Sequence, residues 1–102
     1  MTDVLHPATS LDDTVHQRAR LGILAILSEV TEADVTSLKR ELGLTDGNLG
    51  RHLQVLADAG LVSMERTIVG SRVRTQVRAT KAGAQALRDE VTALRALIKR
   101  VR

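Results

Sequence analysis

Residues 42–62 read LGLTDGNLGRHLQVLADAGLV. Two glycines punctuate this stretch. Gly43 ends the preceding helical run SLKREL as a left-handed C-terminal residue, and Gly60 stops the helix that follows. Between them, Thr45 is an N-cap and Asp46 complements the positive end of the new helix. Asn48 is spaced to return a capping-box-like bond. Leu49, Leu53 and Leu56 recur every four and three residues, so they share one inward stripe. The spacing predicts a helix over 46–59. Two short helices joined by a tight glycine-containing turn form a helix-turn-helix unit.

Upstream, Thr36 or Ser37 is placed to cap the short helix. Thr31 to Val35 is polar and turn-like, with room for a short strand at Val35. Before that, Val15, Ala19, Ile23, Ile26, Leu27 and Val30 recur at helical spacing. They predict helix from an N-cap at Ser10 to about Glu29, with Asp12 and Asp13 in its first turn. It is either one helix or two joined near Arg18 to Arg20. Residues 1–9 contain Pro7, which disfavours helix, and are expected to form a flexible arm.

Downstream of Gly60 the period changes from helical to alternating. Leu61, Val62, Met64 and Thr67 read as a strand. Residues 72–78 (RVRTQVR) alternate basic or polar with apolar or small residues, a half-buried strand. A loop near Ile68 to Ser71 closes the hairpin. Thr80 caps a last helix whose Leu87, Val91, Leu94, Ile98 and Val101 make a heptad-like seam. The expected fold is mainly α with a small β-hairpin (α+β). It is a winged helix-turn-helix over 10–80, with wing 61–79, followed by a dimerisation helix over 81–102.

Composition narrows the class. A chain of 102 residues suits one domain, and 43% apolar with 26% charged residues is ordinary for a globular protein. No apolar run approaches a membrane span, and the polar, acidic start is not a secretory signal. A cytoplasmic protein without membrane partners is expected. There is no cysteine, which removes disulfides, thiolate metal sites and thiol nucleophiles. Residues 1–60 carry five Lys/Arg against nine Asp/Glu, net −4; residues 61–102 carry ten against three, net +7. A basic second half fits a polyanionic partner, although a solvated charged face would look the same. Phe, Trp and Tyr are absent. Single-stranded nucleic acids are recognised largely by stacking on aromatic rings, so double-stranded DNA is the better-suited polyanion.

With these elements in place, the segment RLGILAILSEVTEADVTSLKRELGLTDGNLGRHLQVLADAGLVSMERTIVGSRVRTQVRATKAGAQAL resembles the winged-helix domain of small stand-alone MarR/ArsR-like transcription regulators. The resemblance spans roughly residues 11–98. Its most specific part is residues 42–62, then the basic wing. It implies a homodimer that docks two recognition helices in successive major grooves, with the wings on the flanking backbone or minor groove. The chain departs from the pattern at Gln76 and Val77, where such wings often carry an aromatic residue. It also has Leu61 for a tyrosine after the helix and Gly50 for a serine within it.

The candidate DNA-binding residues follow from their chemistry. Asp46, Gly47, Asn48, Arg51 and His52 are the outward positions near the start of helix 46–59, the end that meets base edges. Asn pairs with adenine N6 and N7, and Arg with guanine O6 and N7. Asn48 and Arg51 share a face and are the expected base readers; the plainer reading makes Asn48 a cap and Arg51 a solvated cation. Thr45 can cap its helix and still meet a phosphate. Lys39 and Arg40 are placed for phosphates. Arg66, Arg72 and Arg74 belong to the wing, whose tip at Gly70 admits one arginine to a minor groove. The seam of Leu87, Val91, Leu94, Ile98 and Val101 invites a partner helix, or packs on the chain's own first helix.

Three rivals stand beside a dimeric repressor. Catalysis finds no Ser-His-Asp order, phosphate loop or paired carboxylates. A metal sensor would need an unspecific cluster such as His6, Asp12, Asp13 and His16. A protein-interaction module would leave the basic wing without a role. No cofactor or metal is called for, and an effector, if there is one, is a small molecule that the sequence does not name.

Overall fold

The computed structural model of the chain describes residues 5–101. A short 3₁₀ turn, Pro7–Ser10, precedes α1 (Arg18–Glu29), β1 (Ala33–Asp34), α2 (Val35–Leu42), α3 (Asp46–Asp58), β2 (Val62–Val69), β3 (Arg72–Ala79) and α4 (Lys81–Val101). The sheet order is β1-β3-β2, antiparallel throughout. This is the expected winged helix: a helix-turn-helix, a hairpin and a long final helix. Principal extents of 64 × 25 × 21 Å fit a body prolonged by α4, which at about 1.5 Å per residue is about 30 Å long.

One core serves α1, α2, α3 and the base of the sheet. Ile23, Leu24, Leu27, Leu38, Leu49, Leu53, Leu56, Val62 and Val77 are buried in it. The stripe Leu49, Leu53 and Leu56 is the buried face of α3, as its spacing predicts. Val15, Ala19, Ile23 and Leu27 are buried as expected, whereas Val30 lies exposed beyond the end of α1.

Local chemistry sets most boundaries. Gly43 takes φ 63°, ψ 38° as the residue after α2, and its amide returns to the carbonyls of Arg40 and Lys39. Thr45 caps α3 by accepting from the Asn48 amide at 3.2 Å, and Thr80 caps α4 by accepting from the Gly83 amide at 3.0 Å. Gly60 follows α3 with φ 76°. α2 begins earlier than expected: Asp34, not Thr36 or Ser37, is its cap, accepting from the Thr36 amide at 2.7 Å. Val35 opens that helix, and the strand falls on Ala33–Asp34 instead.

The largest correction is at the N-terminus. Pro7–Ser10 form a 3₁₀ turn, with His6 as cap and Pro7 at its first position, where a missing N–H costs nothing. Residues 1–4 of the expected arm lie outside the described residues. Ser10 closes this turn and starts no helix. Asp12 is used elsewhere: its carboxylate accepts from the Thr14 amide at 2.8 Å, and its own amide donates to Glu90 Oε1 at 2.9 Å. α1 starts only at Arg18, capped by Gln17, whose side chain accepts from the Arg20 amide at 2.9 Å.

The hairpin is tighter than expected. β2 and β3 stay paired to Val69 and Arg72, so Gly70 and Ser71 alone make the turn. Gly70 has φ 65°, suited to the first central position of a type II′ turn. At the base, Arg78 binds Glu32 at 2.7 Å beside β1.

α4 docks through a face the seam does not describe. Gly83, Glu90 and Ala93 are its buried residues. A Cβ on Gly83 would stand 1.9 Å from the Leu61 carbonyl oxygen, so the helix start approaches the β2 entrance closely. Of the seam, Leu87 packs on the core and Val91 and Leu94 are half-buried. Ile98 and Val101 are 59% and 75% exposed.

Candidate nucleic-acid interface

α3 presents its N-terminal half to solvent because the helix-turn-helix buries only the leucine stripe. Thr45, Asp46, Gly47, Asn48, Gly50 and Arg51 are all exposed. Asn48 and Arg51 are together on one face, and Arg51 Nη2 donates to Asn48 Oδ1 at 2.5 Å. The Asn48 side chain therefore returns no bond to the cap; only its backbone amide serves Thr45. The Asn48 side-chain NH₂ and the other guanidinium nitrogens of Arg51 make no hydrogen bond within the described residues. Gly47 and Gly50 have open space where a Cβ would stand, so this face of the helix is flat.

His52 departs from the expected outward placement. It is half-buried on the shoulder of α3, with Nδ1 3.1 Å from Arg20 Nη1. Its pKa lies below the usual 6.5, first because burial penalises the imidazolium, then because Arg20 and Arg51 repel it.

The other candidates divide in two. Lys39 and Asp46 pair with each other at 3.0 Å across the helix-turn-helix, so Asp46 neutralises the cation meant for a phosphate. Arg40, Arg51, Arg66, Arg72 and Arg74 make no ion pair among the described residues. The strand register separates the wing arginines. Arg72 and Arg74 share one face of β3, while Arg66 pairs across from Thr75 on the other face, with Ile68 and Val73. Arg40, Arg72 and Arg74 converge on a cleft of about 440 Å³, also lined by Asp34, Thr36, Ser37 and Thr75, between the start of α2 and β3. This open, cationic concavity suits an extended polyanion.

His6, Asp12, Asp13 and His16 do not gather: among the described residues no three His, Asp or Glu side chains converge to hold a metal. His6 caps the N-terminal turn, and His16 Nδ1 lies 2.9 Å from Glu90 Oε2. No helix among the described residues is long and apolar enough to cross a membrane. Sequence reasoning gave Glu90 and Arg20 no role. Glu90 stands among Ala86, Leu87, Ala93 and Leu94 at helical spacing, a carboxylate inside an apolar stripe, and that was its signal. Nothing in the sequence marks Arg20, whose side-chain partner His52 is 32 residues away.

A winged helix with an exposed recognition helix and a basic wing is the architecture of a DNA-binding domain. Residues 19–98 match the family model of the winged helix DNA-binding domain, and the chain belongs to that family. It is 33% identical over 82 residues to the uncharacterized protein MJ0432 of Methanocaldococcus jannaschii, covering 80% of this chain and 89% of that one. The structure of a transcriptional regulator homologue from Pyrococcus horikoshii OT3 matches with a TM-score of 0.86 at 27% identity, over 95% of this chain and 98% of that one. A MarR-family transcriptional regulator from Silicibacter pomeroyi shares the fold, with a TM-score of 0.67 at 24% identity over 93% of this chain and 63% of that one.

Proposed function

We propose that the protein is a transcription regulator that binds double-stranded DNA sequence-specifically as a homodimer and represses by occupying promoters. α3 lies in the major groove, with Asn48 and Arg51 at base edges. Thr45, Arg40 and the wing's Arg66, Arg72 and Arg74 hold the flanking backbone, with the tip at Gly70 near a minor groove. The observation that carries this reading is the convergence of Arg40, Arg72 and Arg74, none of them ion-paired among the described residues, on one open cleft, in a fold that also exposes the Asn48–Arg51 pair of α3. Dimerisation through α4 is supported by the exposed Ile98 and Val101, which continue the seam past the body. Repression needs only occupancy of a promoter, and such a protein works where the DNA is, in the cytoplasm.

Duplex binding across a salt series tests the reading. A steep fall of affinity with salt, with preference for one sequence, is the expected result. Arg51→Ala is expected to relax preference, by about 1–3 kcal/mol of discrimination at one base pair. Absence of duplex binding at low salt sinks the proposal in favour of an interaction module. A responsive regulator is a second reading, favoured by a mainly apolar crevice of about 300 Å³ between α1, β3 and α4, with Arg88 in its lining. It would suit a small apolar acid.

A further inference from the structure

Arg20, on α1, has partners for all three guanidinium nitrogens. Nε donates to the Thr14 carbonyl at 2.6 Å and Nη2 to the Asp13 carbonyl at 3.4 Å. Nη1 lies 3.1 Å from Nδ1 of His52 on α3. The first two contacts fasten the side chain to the segment before α1; the third crosses to the helix that carries Asn48 and Arg51. The fastening is itself held in place, because Val15 is fully buried and the Asp12 amide donates to the buried Glu90 on α4.

The chemistry of this contact fixes the histidine. A guanidinium has only donors and keeps its proton. Nδ1 must therefore present its lone pair to Arg20, and the ring proton sits on Nε2. His52 becomes a neutral imidazole with a single donor. Among the described residues no protein acceptor meets that donor. The residue sits on the shoulder of α3, between the buried leucine stripe and the outward line of Gly47, Arg51 and Gln54. When a helix lies in a major groove, outward residues meet base edges and shoulder residues meet the sugar–phosphate wall.

We propose that Arg20 is a positioning residue for DNA recognition, holding His52 as an Nε2–H donor to a phosphate oxygen at the edge of the major groove. This rests on the duplex-binding reading above. His52 then fixes the register of α3 without reading sequence, and Arg20 acts on DNA only through it. The phosphate wall is set partly by the segment before α1, a part of the chain outside the helix-turn-helix.

Two measurements test this. Nitrogen-15 NMR of the histidine side chains should show His52 protonated at Nε2 and bare at Nδ1 in the free protein, and a mixture of tautomers in Arg20→Gln. A protonated Nδ1 in the wild type would overturn the assignment without any DNA present. Duplex affinity is then measured for Arg20→Gln, His52→Asn and the double variant, after thermal melts establish that each is folded. Asparagine keeps an acceptor near Arg20 and lacks the distal donor, which His52→Gln restores. Each single variant should weaken the preferred and a random duplex alike, by about tenfold for a hydrogen bond to a charged group. The double variant should be no weaker than His52→Asn, and His52→Gln should recover part of the loss. Additive losses would show Arg20 acting as a plain cation and overturn the inference while leaving duplex binding intact. A loss confined to the preferred sequence would mean a base contact and overturn the phosphate assignment. A wild type that binds no duplex would overturn both readings, and the tautomer would then report only on the bridge within the protein.

Discussion

α3 and α4 are both amphipathic, yet they differ in where their apolar faces find partners. α3 buries Leu49, Leu53 and Leu56 wholly within its own chain. α4 uses a face of small residues and one carboxylate to dock, and carries Ile98 and Val101 out into solvent. The difference teaches that a helical apolar stripe tells which face is covered but not by whom. A stripe of leucines every three or four residues beside a helix-turn-helix can only be core. A seam that runs the length of a terminal helix can be shared between its own body and another.

This contrast can be broken from either side. The largest effect is expected inside α3. Leu56→Ala leaves a cavity at a fully buried site and should cost about 3–4 kcal/mol of unfolding free energy in a denaturant titration. A loss under 1 kcal/mol would mean the core is looser than its packing shows. Next comes the docking of α4. Gly83→Ala puts a methyl 1.9 Å from the Leu61 carbonyl oxygen, and backbone cannot yield cheaply, so about 3 kcal/mol is expected to be lost. If the variant melts like the wild type, α4 does not dock as described. Ile98→Glu probes the uncovered part of the same helix. Under the dimer proposal it should weaken self-association at least tenfold by analytical ultracentrifugation, with little change in the helical signal of the monomer. An unchanged association constant would move the interface elsewhere.

Two smaller effects sharpen the picture of α3. Gly50→Ala meets nothing within 4 Å and should stabilise the helix by about 0.5–1 kcal/mol. Weaker duplex binding by the same, more stable variant would show that α3 needs its flat face against DNA; unchanged binding would reduce Gly50 to a neutral departure. The smallest effect is that of His52. Its pKa is below 6.5 in the folded chain, so below that pH the unfolded state binds more protons. Its stabilising contribution is complete above pH 6.5 and is lost as pH falls toward the lowered folded value. Melting temperatures from pH 7.5 to 5 should show this slope in the wild type and lose part of it in His52→Asn.

The same contrast explains what the sequence could disclose. Gly43, Thr45, Gly60 and Thr80 were legible because caps and left-handed turns are made with near neighbours. The leucine stripe was legible because its period is a property of one helix. The start of α1 was not, because Asp12 gives its amide to Glu90, 78 residues away, and no local rule sees that competitor. The spacing makes His52 and Asp46 outward residues and cannot show their partners, Arg20 and Lys39, which lie on other helices. Asn48 satisfied its cap through the backbone and was thereby free to hold Arg51, an outcome with the same spacing as a capping box.

β1 is only two residues long and pairs β3 at Gln76 and Val77. Among the described residues no strand pairs the outer edge of β3 from Arg72 to Thr75, and Val73 on it, with Ile68 and Val69 on the neighbouring β2, is exposed. An apolar open edge is a template for strand-to-strand aggregation, and natural proteins guard such edges with charge. Arg72 and Arg74 stand on that segment, so two wings that approached edge to edge would bring like charges together. Charge on this segment thus disfavours pairing of two wings along their strand edges, without bearing on association through α4. Removing both charges would cost solubility along with affinity, and lysine replacements, which keep the guard while removing the guanidinium fork, are the cleaner way to separate the two roles.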